Sequence, residues 1–319
     1  MKYYDPRYDT TFKKVFHHPD LLISFLNALL PLEGDKQVES IEYLTPEMLP
    51  AVPDGKFSIV DVNCKDRLGR QFIVEMQMVW SEEFKTRVLF NASKAYVNQL
   101  EKGQEYKLLR PVYSLNLVNG LFEKDLPEDE YYHYYQLVHE RHSDKVIEGL
   151  HILFIELPKF NPEDWVDKKM KRLWLRFLTE INPSTREAPA ELVTDPVISK
   201  AVSLMEESAM TDTERYLYEK NLDNIRVEKS IVGEAWEKGE AAGMAAGMAK
   251  GMAEGMAQGM AQGMAQGMAQ GMAEGKAEGK AEGKAEGILQ VARNMKDAGM
   301  PNETISAMTG LTIEEIENL

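Results

Sequence analysis

The sequence predicts an α/β fold in which a mixed sheet is flanked by helices and followed by a long helical region. Three observations predict it. Residues 56 to 78, KFSIVDVNCKDRLGRQFIVEMQM, place two runs rich in Val, Ile and Phe around a polar turn, Asp66-Arg67-Leu68-Gly69, which is the pattern of a β-hairpin. Helical and extended patterns alternate on either side of this hairpin, up to Leu157. From Pro162 the pattern is helical and runs into a repeat with glycine at every fourth position.

The elements follow in order. Residues 9 to 30 read as a helix or a pair of helices, with Asp9 or Thr10 as N-cap and a break at His17-His18-Pro19-Asp20. Val38 to Leu44 reads as a first strand, followed by a loop punctuated by proline. After the hairpin, residues 81 to 102 read as a helix that starts at Ser81-Glu82-Glu83 and stops at Gly103. Val88, Ala92, Ala95 and Leu100 form its core stripe, and Tyr96 and Tyr106 read as packing residues. Residues 111 to 118, 131 to 138 and 150 to 157 read as three more strands. His133, His139 and His142 lack the thiolates and spacing of a zinc site. Residues 162 to 181 carry the stripe Trp165, Met170, Leu173, Trp174 and Phe177, and residues 188 to 209 and 212 to 238 read as two further helices.

Gly239 to Gly287 contains thirteen glycines four residues apart, with Met in the next position from Met244 to Met272 and Lys from Lys276 to Lys284. Each glycine costs a helix about 1 kcal/mol against alanine. A period of four also drifts about 40° per repeat around a helix, so the methionines cannot form one ordinary seam. The repeat therefore reads as a spacer or frayed helix, and a self-associating helix is the alternative. Residues 288 to 319 read as a small helical unit with Thr312 as a cap. Its Arg293 and Lys296 face five acids, a net charge of −3, which favours a protein-contact or self-association unit over DNA binding.

The chain of 319 residues is long enough for one sizeable core with appendages. Its single cysteine, Cys64, excludes an internal disulfide and suits a reducing cytoplasm. The polar N-terminus is not a signal peptide, and Leu21 to Leu32 is too short to span a bilayer, so a soluble cytoplasmic protein with no membrane partner is expected. The net charge of −15 argues against simple nucleic-acid affinity. Residues 1 to 110 are nearly neutral, with 15 Lys plus Arg against 16 Asp plus Glu, so a local patch there could still hold DNA.

Strand alternation divides the hairpin into faces. Val60, Val62, Cys64, Phe72, Val74, Met76 and Met78 share one face, the core. Asp61, Asn63, Lys65, Ile73, Glu75 and Gln77 share the other. Asp61 and Glu75 then stand opposite each other, roughly 5 Å apart at Cβ, a destabilising pair unless a hard cation lies between them. A solvated polar face is the other reading of the same pattern.

Asp61, thirteen intervening residues and Glu75-Met76-Gln77 resemble the Asp…Glu-X-Lys site of PD-(D/E)XK phosphodiesterases. With Asp9-Thr-Thr-Phe12-Lys13-Lys-Val-Phe16, Leu21 to Leu29, Arg87, Tyr96, Gly103 to Tyr106 and the ending Thr309-Gly-Leu-Thr312, the chain resembles the Rpn family of recombination-promoting nucleases, also described as PD-(D/E)XK nuclease family transposases. The resemblance implies a restriction-endonuclease-like core and a metal-dependent DNA endonuclease acting in recombination or mobile-element processes. Asp61, Glu75 and the Met76 carbonyl would hold Mg²⁺ or Mn²⁺. Lys13 or Arg87 could contact a substrate phosphate, and Asp9 could add an acid from the first helix. Gln77 stands, as in many Rpn-like sequences, where the PD-(D/E)XK superfamily usually has Lys. A neutral amide can orient a water but supplies no charge, so Lys65, or Lys56 less favourably, is expected to assist. Two rivals stand: a degenerate nuclease fold that only binds or regulates, and a transposase-type strand-transfer protein. The domains expected are a nuclease-like core (1–160), a helical extension packed on it (161–238), the repeat (239–287) and the C-terminal unit (288–319).

Overall fold

The computed structural model describes residues 3–48, 56–123, 125–164 and 166–319. Trp165, expected in a helical stripe, lies outside the described residues. Two compact units divide the chain, residues 1–233 and 234–319.

The first unit is built on a six-stranded mixed sheet. Its strands are β1 (Ile41–Tyr43), β4 (Val62–Asp66), β5 (Gln71–Gln77), β6 (Val112–Val118), β7 (Tyr132–His139) and β8 (His142–Glu156), in the order β1-β4-β5-β6-β8-β7. Two short strands, β2 (Glu47–Met48) and β3 (Ser58–Ile59), pair separately. The β5–β6 and β6–β8 pairs are parallel, and the others are antiparallel. A parallel pair needs a crossover, and α3 (Glu82–Val97) makes the one from β5 to β6.

Helices cover both faces, so the central strand β6 is buried along its whole length. On one face α1 (Asp9–Phe16), α2 (Pro19–Leu29) and α4 (Lys169–Glu180) pack onto Val62, Cys64, Phe72, Val74, Leu115 and Leu153. Rings join these helices, with Phe16 4.4 Å from Phe25 and Phe25 5.3 Å from Trp174. On the other face α3 lays Ala92 and Ala95 on Ile73 and Val112. Helices α5 (Ala190–Thr194) and α6 (Pro196–Leu204) complete the first layer.

Several boundaries differ from the sequence expectation for local reasons. The first strand is short because Asn27 takes both backbone groups of Val38, accepting from its N–H at 2.7 Å and donating to its carbonyl at 2.8 Å. Asp9 does not cap α1. It is the first helical residue and pairs with Lys13 at 2.6 Å. Helix α3 ends at Val97, short of Leu100 and Gly103, and Tyr106 lies exposed at the start of a short 3-10 turn, Tyr106–Leu108. The span expected as one helix at 188 to 209 splits because Asp195 caps α6 and Pro196 begins it. Strand β8 starts eight residues before Leu150, in a polar exposed stretch that has no apolar alternation.

The repeat is helical throughout, within α7 (Asp212–Asp297). Its methionines are exposed and its glycines have no neighbour within 4 Å of an added Cβ. In the second unit, the end of α7, α8 (Asn302–Thr309) and α9 (Ile313–Glu317) enclose Ala292, Ile305 and Ile316. Thr312 and Glu315 form the capping box of α9.

Candidate active site

The hairpin turn sets the register that carries the site. Asp66 Oδ1 accepts from the backbone N–H groups of Leu68 and Arg70 at 3.0 and 2.9 Å, and Gly69 supplies φ +79°. An added Cβ at Gly69 would stand 3.2 Å from the Arg110 side chain. Lys65 then pairs with Gln71 and Asn63 with Ile73, as the sequence predicts. The ladder stops at Val62 opposite Val74.

Asp61 is not a ladder partner of Glu75. It lies in a bend, and its Oδ2 accepts from the Met76 N–H at 2.7 Å. The bend also breaks the alternation. Val60 packs with Ile73 on the α3 face, away from the face of Val62 and Cys64. The side chain of Asp61 thus takes over a backbone amide of β5 and lies against the strand beside Glu75.

Glu75 is buried on the α3 face. Its Oε1 accepts from Asn91 Nδ2 at 3.0 Å, and its Oε2 lies 3.6 Å from Arg87 Nη2. Asn91 is fully buried on α3, one turn after Arg87. Asp61, Glu75, Met76, Gln77 and Arg87 line one cleft of about 680 Å³, which Lys56 also borders. Asp61 also lines a second cleft of about 300 Å³ with Lys13 and His17.

Both carboxyls hold their protons more tightly than usual. Burial pushes Asp61 up to about 7, opposed by the Met76 N–H and Lys13 and reinforced by the charges of Glu75 and Asp9. Burial also raises Glu75, against the pull of Asn91 and Arg87. A divalent cation would reverse both shifts, because it replaces a repulsion by an attraction.

The donor set is two carboxylates with backbone carbonyls close by, which are hard oxygen ligands of the kind Mg²⁺ and Mn²⁺ take. Among the described residues no hydrogen bond reaches Asp61 Oδ1, and no group of three His, Cys, Asp or Glu side chains could hold a metal ion. The residues present therefore fit a hard cation held by two side chains, with its remaining ligands from backbone, water or substrate. The histidines are used otherwise: His133 bonds Glu156 at 2.9 Å, and His139 and His142 face each other at the tip of the β7–β8 hairpin.

The profile of the PD-(D/E)XK nuclease family transposases matches residues 6–235. The chain belongs to this family. A second profile, the C-terminal HTH domain of the Rpn/YhgA-like nuclease family, matches residues 285–319. No curated protein and no solved structure matches the chain. The mixed sheet flanked by helices is consistent with the PD-(D/E)XK fold.

Not every residue singled out from the sequence comes to the cleft. Gln77 does, but both ends of its amide are engaged: Oε1 accepts from Arg87 at 2.7 Å and Nε2 donates to the Val79 carbonyl at 2.6 Å. Lys65 does not. It faces Glu42 across the β1–β4 pair at 3.1 Å and lines a separate cleft with Asn63 and Gln71. Asp9 and Lys13 pair with each other, and both act on Asp61 through their charges. Sequence reading missed Asn91. Its signal is the polar series Arg87, Asn91, Lys94 at helical spacing beside the apolar stripe Val88, Ala92, Ala95.

Proposed function

We propose that this chain is a divalent-metal-dependent DNA endonuclease, Rpn-like, that hydrolyses phosphodiester bonds in recombination or mobile-element processes in the cytoplasm. The observation that carries the reading is the bond from the Met76 N–H to Asp61. It draws a second carboxyl to the side of Glu75 within one cleft. Asp61 and Glu75, with the Met76 carbonyl, would hold Mg²⁺ or Mn²⁺, which when bound polarises the phosphodiester and lowers the pKa of water. Asn91 fixes the rotamer of Glu75 by its bond to Oε1. The raised proton affinity of Asp61 makes the ionised, metal-holding form more abundant as pH rises through about 7. Arg87 borders the cleft and would contact a phosphate, and Lys13, which lines the second cleft with Asp61, would contact a flanking one. DNA is the proposed partner, and the repeat with the C-terminal unit is the proposed route of self-association.

Supercoiled plasmid with Mg²⁺ or Mn²⁺ tests this. The expected result is metal-dependent nicking by the wild type, abolished in both Asp61→Ala and Glu75→Ala. Joined-strand products would assign strand transfer. Inert wild-type protein would favour a binding module, the reading supported by the absence of a lysine at position 77.

A further inference from the structure

Gln77 ends β5 on the face of Glu75, and Arg87 faces it from α3. The closest partner of the guanidinium is the neutral amide, Gln77 Oε1 at 2.7 Å, and the carboxylate Glu75 Oε2 stays at 3.6 Å. The amide cannot turn away freely, because its other end is bonded to the Val79 carbonyl at 2.6 Å. The guanidinium lies 4.9 Å from the centre of the Phe84 ring, and the Arg87 side chain keeps about half of its surface, 48 %, open to solvent. Guanidinium carries five N–H donors, so most remain for a ligand. Among the described residues, no other cation bonds to Glu75 or Gln77.

We propose that Gln77 is a positioning residue that anchors Arg87 at the mouth of the cleft beside Glu75, and that Arg87 supplies the positive charge facing the substrate phosphate. The inference rests on the nuclease reading above. Gln77 and Arg87 act as a pair: the strand provides an acceptor and the helix brings the charge, where the usual lysine of the wider PD-(D/E)XK superfamily would carry it on the strand itself. Arg87 remains protonated throughout, so its part is to neutralise phosphate charge and not to accept a proton. A guanidinium can also grip two phosphate oxygens at once.

The test compares wild type, Arg87→Ala, Gln77→Lys and the double variant in two assays. One is plasmid nicking with Mn²⁺. The other is binding of a fluorescent DNA duplex across a salt series in EDTA, which needs no metal. Arg87→Ala is expected to nick about 100-fold more slowly and to lose about one unit of salt slope, with its thermal midpoint unchanged. Adding Gln77→Lys to Arg87→Ala is expected to restore both the nicking and the slope, which a merely structural role would not do. Wild-type nicking and slope in Arg87→Ala would overturn the pair while leaving the nuclease reading intact. A double variant no better than Arg87→Ala in either assay would overturn the relocation of charge. Wild-type protein that never nicks would overturn the nuclease reading, and the salt slope in EDTA would still decide whether Arg87 faces phosphate.

Discussion

Asp61 stands where an ionised carboxylate is unfavourable without a cation. Its ordinary value is 3.8 and burial raises it to about 7, so the folded chain binds this proton more tightly than the unfolded chain does. Well below 3.8 both states are protonated and the group has no effect. The metal-free fold then loses stability as pH rises from there through about 7. Asp61→Asn keeps an acceptor for the Met76 N–H and removes the charge. In EDTA at pH 8 it is expected to be more stable than wild type by on the order of 1–2 kcal/mol, allowing for the partial solvent contact of the side chain. Urea midpoints should show this gap closing as pH falls toward 4, and a gap constant with pH would mean that the charge is not its cause. That Asp61 comes to the same cleft as Glu75 was legible in the sequence, from its place on the hairpin. Its bond was not, because alternation predicts a ladder partner and cannot foresee a side chain that replaces the ladder. The same limit applies to Lys65. Its face was correct, but Glu42 on the neighbouring strand draws it away.

The hairpin and the repeat make opposite use of glycine. At Gly69 the positive φ strains any residue with a side chain and an added Cβ would crowd Arg110, and the turn fixes the register by which Glu75 and Gln77 reach the cleft. This element was legible because turn chemistry and alternation agree. In the repeat, the glycines from Gly239 to Gly287 have nothing near them. Thirteen glycines remove roughly 10 kcal/mol of intrinsic helix support. The sequence therefore suggested a spacer or frayed helix, whereas the structure carries helix across the whole repeat with its methionines exposed. Replacing Gly255, Gly259, Gly263 and Gly267 by Ala is expected to deepen the 222 nm ellipticity and raise the melting midpoint of the segment. A lower midpoint would show that an added Cβ collides with something, as it would where two helices approach closely through their glycines.

The negative charge of the molecule is unevenly placed along the chain. Nearly all of the net −15 lies beyond residue 110, while the residues that supply Lys13, Asp61, Glu75 and Arg87 are close to neutral. If this region holds DNA as proposed, its few local cations would give weak affinity, with a salt slope of about one unit for each phosphate neutralised. The fold class and family were legible because strand and helix periods alternate and because the motifs occur in order along the chain. The C-terminal unit was less so. Its helices and the Thr312 cap were read from local signals, but its charge pointed to protein contact whereas its match is to an HTH domain. Charge reports on partners and does not define a motif. The central proposal is that Asp61 and Glu75 together hold a divalent cation. Titration calorimetry of Mn²⁺ into the metal-free protein at pH 6 and pH 8 tests it most directly. The account predicts binding that strengthens with pH as Asp61 loses its proton and that disappears in Asp61→Ala. Binding that is unchanged in Asp61→Ala, or no binding by the wild type at pH 8, would contradict it.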